Sequence, residues 1–377
     1  MIVFNNIEKS YNKNTIIEKF NLTINDGEFV VFIGPSGCGK TTTLKMINKL
    51  ITPTSGSIEI NGENISNIDS VKLRRKIGYV IQQTGIFPHM TIKENIGIIL
   101  KLIKTEENKI EEKVRELLTL VGLEPEKYMY RYPRELSGGQ QQRVGFARAL
   151  AIDPDIILMD EPFSALDPIT RNSLQEELFN LQQEVKKTIV FVTHDMDEAI
   201  KLADKICIMN KGRIAQYDTP ENILRNPKDE FVENFIGKDR IWNNPEYIKV
   251  KDVMIGNPVT TNGRRNVLQS IEIMRNNKVD SLMVVDKENV LKGIVTIKAI
   301  RRKGNNNSTI EDIMEKDLIT VDEDSSIVDI LKTMNNNNIG YVPVVDSDKK
   351  LKGLVTRSSV ISVMSEKYMD EEEGDNS

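Results

Sequence analysis

Cysteine is scarce: the 377 residues hold two. Cys38 and Cys207 lie far apart with no His or Cys at metal-binding spacing, which excludes a disulfide framework and gives no zinc site. Long apolar runs are missing too. Nothing approaches the roughly 20 residues that a membrane-spanning helix needs, so work at a membrane requires partner subunits. The opening Met1-Ile-Val-Phe-Asn-Asn lacks the basic stretch and apolar run of a secretory leader and reads as a first strand, which predicts a cytoplasmic chain. Positive charge is not in excess: 51 Lys and Arg face 56 Asp and Glu, a net charge of −5. That balance argues against a nucleic-acid partner. What is present, 39% hydrophobic and 28% charged residues, is the composition of a globular protein, and the length predicts two or three compact units.

Up to Gly237, short β-rich runs alternate with helical stretches, as in an α/β domain with a largely parallel sheet. Phe29–Ile33 and Ile156–Met159 are the clearest buried strands, and the charged, helically periodic Lys93–Val121 suggests a helical lobe. The predicted division is a domain over 1–237, a linker over 238–249 where Trp242, Asn243, Asn244 and Pro245 break the periodicity, repeats over 250–304 and 305–366, and an acidic tail over 367–377 expected to be disordered. The repeat rests on a common offset of 60 positions, as from Met254 to Met314, which also relates Leu282–Asp286 to Val342–Asp346 and Gly293–Thr296 to Gly353–Thr356.

The first chemical signal is Gly34-Pro35-Ser36-Gly37-Cys38-Gly39-Lys40-Thr41, which fits GxxxxGK[ST] between a strand and a helical run. Its glycines let backbone N–H groups converge on phosphate, with Lys40 at the terminal phosphates and Thr41 on magnesium. Gly34, Ser36, Gly37, Cys38, Gly39 and Thr42 complete the nucleotide-binding set, with Cys38 as a small filler. A second polar, glycine-rich helix start, Ser137-Gly138-Gly139-Gln140, also suits phosphate. Then Ile156–Met159 ends in Asp160 and Glu161, whose side chains leave a strand in opposite directions and so take separate roles. Asp160 is expected to hold magnesium and Glu161 to polarise the attacking water. His194, after the apolar run Ile189–Val192, is placed to bond the γ-phosphate.

With these residues in this order, positions 1 to about 237 resemble the ABC ATPases, with Leu136–Gln140 as the family's signature. The resemblance implies a P-loop NTPase fold, a RecA-like core plus a helical subdomain, that binds and hydrolyses ATP with Mg2+. It also implies stacking of adenine on Tyr11, a magnesium-linking and transport-coupling Gln82, and an exchanged loop Ser164–Asp167. In such a homodimer each ATP lies between Lys40 of one copy and Ser137–Gly139 of the other. Transmembrane permease subunits, and through them an extracytoplasmic substrate-binding protein, are the implied partners, with the chain at the cytoplasmic face of the membrane.

Lys45–Leu50, Gly78–Gln83 and Gly212–Pro227 resemble importers of quaternary amine osmoprotectants. The tandem repeats resemble CBS domains, which pair into a disc with clefts for adenosine-containing ligands. Gly293–Ala299 and Gly353–Ser359 lack the final Asp of the usual ligand run. Thr296, Thr356, Arg357 and Tyr341 remain as regulatory candidates, with cyclic di-AMP or another adenine nucleotide as the implied ligand; Tyr341 reads equally as a packing residue and Arg357 as a surface charge. The acidic tail reads either as a salt sensor or as a solubilising end.

Overall fold

The computed structural model describes residues 1–12, 14–81, 85–164, 166–237, 240–303 and 308–363. Gln82, Gln83, Ala165, the polar joint Asn305–Asn307 and the acidic tail therefore lie outside the described residues. The chain divides into two compact units, Met1–Lys238 and Asp239–Ser377. No helix among the described residues is long and apolar enough to cross a membrane.

Among its described residues the first unit holds two sheets. β1 (Ile2–Tyr11), β2 (Asn14–Ile24), β4 (Ser55–Ile60) and β5 (Glu63–Asn64) make an antiparallel sheet in the order β2-β1-β4-β5. Phe20, Leu22 and Ile24 of β2 are buried between exposed neighbours, the period of a strand with one face on a core. The second sheet runs β10-β9-β3-β8-β7-β6, from β3 (Phe29–Ile33), β6 (Ile77–Val80), β7 (Ile156–Asp160), β8 (Thr188–Val192), β9 (Lys205–Asn210) and β10 (Arg213–Asp218). It is parallel except for β10 on β9. β3, β7 and β8 are buried at every position, as strands covered on both faces must be, hence their unbroken apolar runs. The sequence reading of a largely parallel sheet thus describes this second sheet; the antiparallel one was not foreseen. Ile2, Phe4 and Phe20 of the first pack with Phe32, Leu158 and Val190 of the second in one core.

Helices follow the strands that carry chemistry. α1 (Lys40–Ile47) follows β3; α2 (Ser70–Arg74) precedes β6; α3 (Ile92–Leu102), α4 (Glu107–Leu120), the short α5 (Pro125–Tyr128) and α6 (Gly138–Leu150) lie between β6 and β7. α3, α4 and α6 bury Ile96, Val114, Leu118 and Val144, which is the helical lobe expected from Lys93–Val121. α7 (Pro168–Val185) and α8 (Met196–Leu202) follow β7 and β8.

The second unit shows the repeat directly. β12 (Ser281–Val285) and β13 (Leu291–Thr296) form a hairpin, joined by the short parallel β11 (Thr260–Thr261), while β14 (Tyr341–Val345) and β15 (Leu351–Thr356) form the matching hairpin 60 positions on, as from Ser281 to Tyr341. Helices Val267–Asn277 and Ile327–Asn336 occupy equivalent places. The copies are interleaved rather than serial. The Ile255 and Leu354 backbones bond each other in both directions, at 2.9 and 3.1 Å, as do those of Ile294 and Glu315, at 3.0 and 2.9 Å. Val250 and Val253, at the start of the first repeat, pack with Ile330, Val342 and Val355 of the second. Gly293 and Gly353 permit this close approach: a Cβ on Gly353 would lie 2.6 Å from Met254 Sδ, and one on Gly293 2.6 Å from the Glu315 carbonyl oxygen.

Candidate functional site

The loop between β3 and α1 is shaped by backbone that side chains would obstruct. Gly34 has φ +152° and a Cβ there would sit 2.1 Å from the Met209 carbonyl oxygen; Gly39, at φ +107°, would press on Ile17. Both positions therefore require glycine. Lys40 is almost fully buried and its ammonium donates to the carbonyls of Gly34, at 2.6 Å, and Pro35, at 3.2 Å. Cys38 is buried among core residues, 4.0 Å from Lys40 Nζ, and its burial raises the thiol's pKa against the lowering pull of Lys40. It fills space, and only its backbone is left for phosphate.

Asp160 ends β7 beside this loop. Thr41 Oγ1 donates to Asp160 Oδ1 at 2.7 Å, and Lys45 Nζ lies 4.0 Å from Oδ2. A hydroxyl and a buried carboxylate in contact form an all-oxygen donor pair suited to Mg2+. Glu161 follows at φ +45°, in the left-handed region rarely used by residues with side chains, and its N–H is held by the Val192 carbonyl at 2.9 Å. His194 Nδ1 lies 3.3 Å from Glu161 Oε2. Tyr11, Ile16, Ser36, Gly37, Gly39, Lys40, Thr41, Thr42, Glu161 and His194 line one open cleft of about 700 Å³, within the range of small-molecule sites. Its floor offers backbone amides and a lysine, its walls an acid and an imidazole. The Tyr11 ring stands at the rim, 47% exposed, with Lys9 Nζ 4.6 Å from its centroid. Gln82 lies outside the described residues.

Ser137–Gln140 do not line this cleft. Ser137 caps α6: its hydroxyl accepts from Gln140 N at 3.4 Å and Gln140 Oε1 accepts from Ser137 N at 3.0 Å, a capping box. Gln140 Nε2 also donates to the Tyr128 hydroxyl. The two glycines differ. Gly138 has open space where a Cβ would stand, whereas a Cβ on Gly139 would lie 2.5 Å from Thr170 Cγ2 of α7. Asp167 caps α7 through Thr170 N at 3.0 Å, and the bond from the Thr170 side chain, followed by that from its backbone N–H, holds the carboxyl below the usual range.

Sequence reasoning missed the layer behind the histidine. Glu198, in the first turn of α8 and 5% exposed, accepts from the Thr193 hydroxyl at 2.6 Å and from Gln175 Nε2 at 3.3 Å. Arg171, on α7, donates to the Leu166 carbonyl at 3.1 Å and approaches Asp195 at 3.7 Å and Glu198 at 4.0 Å. Burial pushes the Glu198 carboxyl up, against the Thr193 bond. Arg171 and Glu198 each stand four residues after a predicted site residue, Asp167 and His194, near the start of the helix that follows it. Tyr79, beside Asp160, has its phenol pushed up to about 12 by burial and by that carboxylate.

In the second unit the structure joins three of the four regulatory candidates. Tyr341 and Thr356 are register partners, and Arg357, next along, donates to the Met334 carbonyl at 3.4 Å. The Tyr341 hydroxyl donates to Glu315 at 2.8 Å, and burial followed by that bond raises its pKa. Thr296 belongs to the other hairpin, where its hydroxyl accepts from Ala299 N at 3.1 Å; Thr356 does the same for Ser359 N at 2.9 Å. Both threonines start helical turns.

Comparison with known proteins gives the family. A family model described as ABC transporter matches residues 17–164, and one described as CBS domain matches residues 250–305 and 310–366. The chain is 54% identical to a glycine betaine/carnitine/choline transport ATP-binding protein of Bacillus subtilis, over 95% of this chain and 94% of the relative. It is 52% identical to a carnitine transport ATP-binding protein of Listeria monocytogenes, over 97% and 92%, and 51% identical to a choline transport ATP-binding protein of Bacillus subtilis, over 99% and 98%. Among solved structures, an ATP-binding cassette in a dimeric post-hydrolysis state with ADP and Pi matches at TM-score 0.53 and 36% identity, over 58% of this chain and 99% of that one.

Proposed function

The chain belongs to the ATP-binding subunits of ABC transporters that carry tandem CBS domains, and from that premise we propose that it binds and hydrolyses ATP to energise import of quaternary amine osmoprotectants: glycine betaine, carnitine or choline. The observation that carries the proposal is the cleft in which Lys40, Thr41, Glu161 and His194 converge, together with relatives covering nearly the whole chain whose names give those solutes.

In this reading the loop amides of Gly34–Gly39 and the Lys40 ammonium hold the phosphates, Tyr11 stacks on the base, and Thr42 adds a hydroxyl at the start of α1. Thr41 and Asp160, with Gln82, hold Mg2+, which offsets charge on the phosphates when bound. Glu161 accepts a hydrogen bond from the attacking water and His194 donates toward the γ-phosphate. The 3.3 Å contact between Glu161 and His194 keeps acid and imidazole in register, so the water has one orientation. Ser137–Gly139 and Gln140 close the site from a second copy, with Asp167 in the loop between copies, and hydrolysis removes the contacts that favour closure. Permease subunits convert this cycle into transport, an extracytoplasmic binding protein delivers the solute, and the chain works at the cytoplasmic face of the membrane. The CBS pair regulates transport, with an adenine nucleotide such as cyclic di-AMP as effector and Tyr341, Thr356, Arg357 and Thr296 as the groups offered to it.

The test is ATP turnover by the purified complex with its permease and binding protein. Glycine betaine, carnitine or choline is expected to raise turnover, and Glu161→Gln to abolish it while ATP still binds. Turnover indifferent to all three amines would overturn the substrate assignment; undiminished turnover in Glu161→Gln would overturn the site.

A further inference from the structure

Two loops meet at the back of the catalytic cleft. One, Thr193–Asp195, carries the histidine; the other, described at Ser164, Leu166 and Asp167, belongs to the segment the resemblance assigns to exchange between copies. A small cavity of about 20 Å³ lies between them, lined by Glu161, Ser164, Arg171, His194, Asp195 and Glu198 among others. Two side chains span it. Arg171 starts from α7, bonds the Leu166 carbonyl of the exchanged segment at 3.1 Å, and turns its guanidinium to Asp195 at 3.7 Å and Glu198 at 4.0 Å. Its Nε is buried without a hydrogen-bond partner. Glu198 reaches back from α8 to the Thr193 hydroxyl at 2.6 Å, and Thr193 Oγ1 accepts from Asp195 N at 3.1 Å. His194 is therefore bracketed by two residues that this network fixes.

We propose that Arg171 and Glu198 are positioning residues for ATP hydrolysis, a half-buried bridge that ties the exchanged segment to the histidine loop and so holds His194 against Glu161 when a second copy engages that segment. This rests on the ATPase reading given above. Neither residue lines the nucleotide cleft, so neither touches the reacting atoms. The arrangement also differs from what stability alone would select. A carboxylate at 5% exposure is costly to keep ionised, and burial indeed raises its pKa. Glutamine at this site would accept from the Thr193 hydroxyl with its amide oxygen and donate to Gln175 once that amide turns its oxygen inward, all without the charge, yet it would release Arg171.

The experiment compares the full chain with Glu198→Gln, Arg171→Lys and the double variant, reading kcat, KM for MgATP and the melting temperature. The bridge predicts a fall in kcat of about tenfold in each single variant, KM within about twofold, and a Glu198→Gln melting temperature equal to or above that of the parent. It predicts further that the double variant loses no more kcat than the worse single, since both remove one link. Unchanged kcat in either folded single variant, losses that multiply in the double, or a kcat that falls only in step with melting temperature would each overturn it. Should Glu198→Gln fail to fold, Arg171→Lys alone decides, because lysine keeps the charge but lacks the fork that spans Leu166 and Asp195. Glu161→Gln run in parallel separates the two claims: full turnover in that variant sinks the ATPase assignment, whereas its loss beside normal Arg171→Lys turnover sinks the bridge.

Discussion

The adjacent glycines at the start of α6 look interchangeable in the sequence, and the structure separates them. A Cβ on Gly139 would lie 2.5 Å from Thr170 Cγ2, at least 1 Å inside the usual carbon–carbon contact of about 3.5–4.0 Å. Overpacking of this kind costs about 1–3 kcal/mol, and the gain from replacing glycine in a helix, at most about 1 kcal/mol, shrinks in the first turn. The net for Gly139→Ala is about 1 kcal/mol of destabilisation, or roughly 2–4 °C in a unit of this size. Gly138→Ala meets nothing within 4 Å, so it retains only the helix gain, about 0.5 kcal/mol. Its methyl group would instead project where the nucleotide of a second copy is proposed to rest. Differential scanning calorimetry with parallel ATPase assays should show Gly138→Ala melting no lower than the parent yet losing turnover. Gly139→Ala should melt lower and recover on adding Thr170→Ser, which deletes the clashing methyl. A lower melting temperature for Gly138→Ala, or a Gly139→Ala loss indifferent to Thr170→Ser, would refute the steric argument.

Two further outcomes follow from contacts beside the cleft. Thr41→Val removes the 2.7 Å bond to buried Asp160, worth about 1.5–3 kcal/mol for a charged acceptor; the Mg2+ concentration for half-maximal turnover should rise, and an unchanged Mg2+ titration would contradict the donor pair. Burial raises the Glu28 carboxyl's pKa, but the bonds from Lys205, at 2.8 Å, and Asn25 outweigh it and leave the pKa lowered. A carboxylate with a depressed folded pKa adds stability above its unfolded value and loses it as pH falls through the folded one. Lys205→Met should thus cost about 1 kcal/mol near neutral pH and little once the carboxyl is protonated, so equal losses at pH 7 and pH 3 would exclude the assignment.

Much of the site was legible because its chemistry is written in contiguous runs. The glycine loop, the acidic pair after Ile156–Met159 and the histidine after Ile189–Val192 each sit at a strand end, and hydrophobic patterning exposes strand ends. The repeat was legible for a similar reason, since duplicated residues keep a fixed offset. What escaped depends on approach between distant segments. Nothing local announces that Arg171 and Glu198 converge, that Glu161 adopts φ +45°, or that Ser137 and Gln140 spend their side chains on a helix cap. The interleaving of the CBS copies escaped as well: Met254 and Met314 marked the repeat, but only the backbone pairing of Ile255 with Leu354 and Ile294 with Glu315 shows that each copy's leading segment belongs to its neighbour. The antiparallel sheet was overlooked because Ile2–Tyr11 and Asn14–Ile24 are half polar, and strands exposed on one face carry a weaker signal than the fully buried β3, β7 and β8.

The claim on which the rest stands is that MgATP draws two copies together across the cleft. Both native cysteines are buried, so a spin label attached through Asn172→Cys, exposed one turn beyond the exchanged segment, reports the distance between copies without interference. In the Glu161→Gln background the account predicts a short inter-copy distance that appears with MgATP and vanishes when Ser137→Arg is added. A distance distribution that ignores nucleotide, or one that survives Ser137→Arg, would contradict it.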